Sequence, residues 1–234
     1  MFKKIKMTIK EFLKYELKGW NNYEIIGLSC AFSAILINSI FFNDNIIAVI
    51  SALCGILYTI IAGKGKISCY LFGCIGTACY AYLSFKNSLY GNFLLNALYY
   101  LPMEIVGFFA WRKNLQKTTR EIIKTKLHNT ERLQIFITTM FLCSIFICML
   151  NHYNDNAPFT DGITTVLSIL GMYLTVRRCI EQWIVWILVN TLSIIMWFNL
   201  VLHGAKTLST LVMWSVYLIL GIYFYFKWNK ELSE

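Results

Sequence analysis

Eight apolar stretches follow one another along this chain with little sequence between them. They run over about 24–42, 45–63, 66–85, 90–111, 132–150, 159–177, 181–201 and 207–226, each close to the roughly 20 residues that a helix needs to cross a bilayer. A soluble domain of 234 residues could not hide this much apolar surface. Hydrophobic residues make up 58% of the chain and charged residues only 14%, against roughly 25% charged in an ordinary soluble domain; the mean hydropathy is +0.58. The sequence therefore predicts an all-α integral membrane protein with eight transmembrane helices.

The charges orient this stack. With the N-terminus on the cytoplasmic side, 19 of the 21 basic residues fall in the N-terminal tail, the inside loops or the C-terminal end, and only Lys86 and Lys206 fall outside. That asymmetry is the positive-inside signal. Losing or adding one helix would scramble it, so it supports the count of eight and places both termini in the cytoplasm. The net charge of +9 is thereby read as a topology signal rather than a nucleic-acid footprint, and no nucleic-acid partner is expected. Residues 1–18 alternate Lys with Phe2, Ile5, Ile9, Phe12, Leu13 and Leu17 at helical spacing, the pattern of a basic amphipathic helix lying on an anionic lipid surface. They lack the compact apolar core and cleavage site of a secretory signal.

A shift of about 116 residues lays helices two to four on helices six to eight. Gly55 meets Gly171 and Thr59 meets Thr175; with a small slip, Gly107–Trp111 meets Gly221–Tyr225. Helices two and six cross in the same direction, so two parallel three-helix units need an odd linker, which helix five supplies. The expected organisation is a basic segment over 1–20, an extra span over 21–44, a first three-helix repeat over 45–111, a loop and linker helix over 112–157, and a second repeat over 158–230. Parallel repeats related by an axis along the membrane normal are a transporter architecture, with the site at their interface.

Polar residues inside the spans narrow the chemistry. In EQWIVWILVN, Trp183, Trp186 and Asn190 stand at i, i+3 and i+7 and so share one helix stripe. Two ring faces with an amide one turn deeper suit a flat ligand with a polar edge, and a cationic ring stacks best. The plainer alternatives are an interfacial aromatic belt for the tryptophans and interhelical bonding for Asn190, which lies about 14 Å beyond the helix start. Glu104, after Pro102, is an intramembrane carboxylate and a candidate for gating or packing; its plain readings are a reach to the cytoplasmic interface or a pair with Arg112 or Lys113. Asp161, after Pro158, is a ligand candidate or an N-cap, and Thr164, Thr165, Asn96, Tyr99 and Tyr70 add polar groups. Within the predicted spans Lys and Arg stand only at the end residues Lys66, Arg132 and Arg177, so a phosphorylated substrate in the interior would find no cationic partner. The sequence carries no GxSxG, HExxH or Gly-rich phosphate loop, so no enzyme is expected, nor any cofactor. The eight Cys form no CxxC pair and read as small packing residues; the three His show no metal-ligand spacing.

The stretch APFTDGITTVLSILGMYLTVRRCIEQWIVWILVNTLSIIMWF resembles the PnuC family, with an Asp-containing helix start, a basic turn and an E-x-W-x-x-W-x-x-x-N signature. KISCYLFG and LYGNFLLNALYYLPMEIVGFFAWRKN resemble the matching first-half segments, so the likeness covers residues 46–230. It implies a SWEET-like 3-1-3 core and a bacterial inner-membrane facilitator of nicotinamide riboside. Intracellular phosphorylation would trap the substrate and feed NAD biosynthesis. It also implies a homotrimer. Carried over by position, Trp183, Trp186 and Asn190 would line the substrate site with Asp161 nearby, and Thr164 and Asn96 are candidates for ribose hydroxyls. Gly76 and Asn96 stand where the family often has Asn and Gln, which leaves thiamine, riboflavin, a deoxynucleoside or a SWEET-type sugar as alternative substrates.

Overall fold

The computed structural model describes residues 16, 18–42, 45–86, 93–116, 118–153, 158–202 and 208–233, so the amphipathic reading of residues 1–18 lies almost wholly outside them. Eight helical elements are present among the described residues: α1 (Asn22–Phe42), α2 (Ile46–Gly63), α3 (Cys69–Lys86), α4 (a π-helical turn, Leu95–Tyr100, running into Leu101–Lys113), α5 (Asn129–His152), α6 (Pro158–Val176), α7 (Glu181–Leu202) and α8 (Leu208–Glu231). Each falls on one of the eight apolar stretches. Five of them, α1, α2, α5, α6 and α8, are long and apolar enough by length and composition to cross a membrane, and α7 holds a shorter apolar run, Glu181–Met196.

The packing closes on itself. α2 packs on α3, α3 on α4, α4 on α6, α6 on α7, α7 on α8, and α8 returns to α2; α5 lies outside against α6, and α1 lies outside against α2 and α8. A cluster of buried side chains at the centre draws on all six helices of the circuit, with Ile56, Tyr70, Trp111, Met172, Trp183 and Phe224 among its members. The polarity is reversed from that of a water-soluble core. Large apolar residues such as Ile40, Phe41, Phe141 and Ile219 face outward, while Glu104, Thr175, Gln182 and Asn190 are buried. That distribution suits a lipid surround, where interior polar groups find partners and the outside has none to offer.

The π turn of α4 has a local cause. Pro102 has no N–H and its ring crowds the preceding turn. The helix widens just before it, so that the Leu101 N–H bonds the Asn96 carbonyl five residues back. This puts Asn96 and Tyr100 on a locally rotated face.

The two ends of the bundle differ sharply. At one end lie the α2–α3 turn with Lys64 and Lys66, the α4–α5 loop, and the α6–α7 turn with Arg177 and Arg178. The loop ties the two turns together: the Ile122 N–H bonds the Gly65 carbonyl (2.8 Å), the Thr125 N–H bonds the Arg178 carbonyl (3.0 Å), and the Ile180 N–H returns to the Thr125 carbonyl (2.9 Å). Glu181 holds the loop's exit by accepting from the Leu127 N–H and from Arg132. In α1, Glu24 is buried and accepts from Lys64, from Lys227 (2.8 Å) and from the Tyr223 hydroxyl (3.1 Å). Burial pulls the Lys64 ammonium below its ordinary pKa range, and Glu24 offsets part of that pull. A buried pair of this kind is costly to break from one side, because the remaining charge stays in a dry setting.

Candidate functional site

The inward face of α7 carries the buried Gln182, Trp183, Val189, Asn190 and Ser193 and the half-buried Trp186, so the predicted tryptophan–asparagine stripe does point inward. Trp186 is the best-held member. Its indole lies over Gly171 of α6, where an added Cβ would sit 2.9 Å from Cε2. Only glycine leaves room for the ring at this crossing. The Trp186 Nε1–H donates to the Thr175 hydroxyl at 3.2 Å, and that hydroxyl in turn donates to the Gly171 carbonyl at 2.8 Å. Thr175 also receives the first half of the molecule, since the Trp111 Nε1–H of α4 donates to its carbonyl at 2.9 Å. One threonine thus joins a tryptophan from α4 to a tryptophan from α7.

Trp183 is placed differently. It is 3% exposed, with its ring tilted over Phe224 (centroids 5.4 Å apart) and its neighbour Trp228 set edge-on at 5.6 Å. Its Nε1–H has no hydrogen-bond partner among the described residues, nor has Gln182 Nε2 next to it. Trp228 answers Trp111 across the molecule: its Nε1–H donates to the Gly63 carbonyl of α2 at 2.6 Å. Asn190 is 4% exposed, and its amide nitrogen is 4.0 Å from the point where Gly221 of α8 would carry a Cβ. Room around that amide depends on the missing side chain.

Glu104 faces inward from α4 and is 4% exposed. It pairs with neither Arg112 nor Lys113, as the plain reading had it; the Thr77 hydroxyl of α3 donates to Oε1 at 2.8 Å. Glu104 and Asn190 each stand nine residues from the basic end of their helix, at Lys113 and Glu181, so both lie about 14 Å into the bundle at 1.5 Å per residue. Asp161 and Thr164 are elsewhere. Asp161 lies within the first turn of α6, not at an N-cap position, because the helix already begins at Pro158. It is about 22 Å from the basic end of α6, and the Thr164 hydroxyl is turned back on the Thr160 carbonyl (2.8 Å). Asn96 is buried in the π turn and borders a groove of about 380 Å³ with Thr77, Tyr82, Phe85 and Phe93. Gly76 sits at the α2–α3 crossing, where its carbonyl accepts from Ser51 (2.9 Å). The bundle therefore gathers Trp183, Trp186 and Asn190 on one face with Glu104 at the depth of Asn190, and leaves Asp161 and Thr164 toward the opposite end.

Thr175 and Gly171 entered the sequence reading only as repeat matches of Thr59 and Gly55, and their part in seating Trp186 was not visible there.

The sequence model of the nicotinamide mononucleotide transporter family matches residues 45–230. The chain is 36% identical to the nicotinamide riboside transporter PnuC of Neisseria mucosa over 224 residues, which cover 92% of this chain and 84% of the relative. It is 30% identical to the nicotinamide riboside transporter PnuC of Haemophilus influenzae over 231 residues, covering 97% and 99%. The crystal structure of the vitamin B3 transporter PnuC superimposes with a TM-score of 0.83 at 34% identity, over 96% of this chain and 97% of that one.

Proposed function

The chain belongs to the nicotinamide mononucleotide transporter family, and from that premise we propose that it carries nicotinamide riboside across a membrane by facilitated diffusion. It is a transporter and not an enzyme. The observation that carries the substrate is the seating of Trp186. A partly exposed indole, fixed by Thr175 and Gly171 and set one turn from the buried Asn190 amide, offers a stacking face for a pyridinium ring and a two-way partner for its carboxamide or ribose. Trp183 forms the floor of the same site, and Asp161, Thr164 and Asn96 meet ribose hydroxyls on the path from the far end.

The family's description names the mononucleotide, whereas the relatives' names specify the riboside. The chain's own charges favour the riboside. Its described basic residues stand near helix ends and in loops, and no Lys or Arg lies beside Trp186 or Asn190 on α7 to meet a phosphate. Phosphorylation inside the cell would then trap the cargo and feed NAD biosynthesis.

In this reading all eight helices span the bacterial inner membrane with both termini cytoplasmic. The one-sided basic loops support that orientation. The closed circuit α2–α3–α4–α6–α7–α8, with α1 and α5 outside, supports a SWEET-like 3-1-3 core whose two three-helix units rock about the central site. The working form is a homotrimer, as the family resemblance implies. Titration of the purified protein by tryptophan fluorescence tests the substrate: nicotinamide riboside quenches, and its mononucleotide, thiamine and riboflavin do not. Trp186→Ala weakens binding by about 1–2 kcal/mol. Unchanged affinity in that variant removes Trp186 from the site, and quenching by another vitamin replaces the substrate.

A further inference from the structure

The first half of the molecule holds a buried polar cluster that the tryptophan–asparagine stripe does not use. Glu104 accepts from the Thr77 hydroxyl at Oε1 and has the Cys74 thiol as a second neutral partner, while the Tyr58 hydroxyl and the Tyr70 hydroxyl are buried without a hydrogen-bond partner among the described residues. These groups are neighbours. Gly73 of α3 lies between Tyr58 and Glu104, and an added Cβ there would sit 2.8 Å from the Tyr58 ring and 2.9 Å from Glu104 Oε1. The Tyr58 and Tyr70 rings meet edge to face at 6.2 Å. The Tyr70 ring in turn covers Gly107, one helical turn along α4 from Glu104 and on the same face.

An ionised carboxylate this deep needs a countercharge. The ion pairs among the described residues all lie at the basic end and none includes Glu104. The cluster also connects to the stacking residue. Tyr70 meets Trp111 edge to face at 5.1 Å, Trp111 bonds the Thr175 carbonyl, and the Thr175 hydroxyl holds Trp186. Glu104 and Asn190 share one depth, as described above.

We propose that Glu104, with the Tyr58 and Tyr70 hydroxyl oxygens, forms an anionic subsite that selects a positively charged ring over its neutral isostere and disfavours a phosphorylated ligand. The subsite rests on the reading of the previous section: the cargo's own cation supplies the countercharge that the protein withholds. A phosphate on the same cargo would bring a second anion toward the carboxylate, which adds repulsion to the lack of a basic partner.

The test is calorimetric titration of the purified full chain with nicotinamide riboside and with benzamide riboside, whose ring carries carbon in place of the charged nitrogen. The expected result for the native chain is a preference for the cation of roughly tenfold or more, the scale of an opposite charge brought near a buried carboxylate. Glu104→Gln keeps an oxygen for Thr77 and brings the two affinities together by weakening only the cation, and Glu104→Asp restores the preference. Should Glu104→Gln not yield monodisperse protein, the same ratio is read in Tyr70→Phe, which leaves the carboxylate in place and narrows the preference. A ratio unchanged in Glu104→Gln or Tyr70→Phe, or the absence of any preference in the native chain, overturns the subsite while leaving the transport reading intact. Binding of neither ligand by the native chain overturns both.

Discussion

The α2–α3 turn and the α6–α7 turn close with the same backbone bonds, yet they are built from different residues. In the first, the Gly65 N–H bonds the Ala62 carbonyl and the Lys66 N–H bonds Ile61; in the second, the Arg178 N–H bonds Thr175 and the Cys179 N–H bonds Leu174. The pivot residue is left-handed in both, at φ 69 for Gly65 and φ 62 for Arg178. The interiors above these turns diverge further. Above the first lie a carboxylate and two tyrosine hydroxyls, and above the second lie two tryptophans and an amide. Matched turns beneath unmatched side chains fit the proposal that one side of the bundle stacks a ring and the other meets its charge.

The reciprocal tryptophan bonds give the largest expected effects. Trp111 reaches from α4 to α6, and Trp228 reaches from α8 to α2; both rings are fully buried. Replacement of either by Ala should cost about 3–5 kcal/mol of stability, measured by chemical unfolding in detergent. If the two halves are equivalent braces, the two losses match. A loss confined to one of them makes the other half the rigid frame.

The matched glycines should separate packing from binding. An added methyl at Gly171 meets the body of the Trp186 indole, whereas one at Gly55 meets only the hydroxyl end of Tyr217. Overpacking of a tight core costs about 1–3 kcal/mol. Gly171→Ala should fall within that range and also weaken riboside binding, and Gly55→Ala should cost less and leave binding unaltered. Thermal unfolding beside a ligand titration reads both effects.

The turns themselves give the smallest effects. Gly65→Ala places a Cβ at positive φ against Ile122 Cγ1, 3.0 Å away, and should destabilise by about 1–2 kcal/mol. Arg178→Gly relieves the same conformation and should stabilise by up to about 1 kcal/mol. Opposite signs in the two unfolding shifts confirm that the turns share one geometry and differ in residue alone.

Much of this architecture is legible in the sequence because apolar runs of about helix-spanning length alternate with short polar stretches. All eight apolar stretches became helices, and the stripe of Trp183, Trp186 and Asn190 does face the interior. Periodicity places a residue on a face without saying what covers it. Trp183 therefore reads the same as Trp186 in sequence, although Phe224 lies over its ring. Long-range polar contacts carry no local signal at all: nothing near Glu24 announces Lys64 or Lys227, 40 and 203 residues away. The π turn had a sign in Pro102, but a proline fixes only its own φ and removes one donor. Whether the helix kinks, breaks or widens is settled by what packs around it.

The most direct test of the account is uptake into proteoliposomes holding the purified protein, with labelled nicotinamide riboside and labelled mononucleotide offered in turn and no ion gradient imposed. The account predicts saturable equilibration of the riboside, no entry of the mononucleotide, and loss of riboside entry in Asn190→Leu. Entry of the mononucleotide at a comparable rate, or riboside entry no faster than into protein-free vesicles, would contradict it.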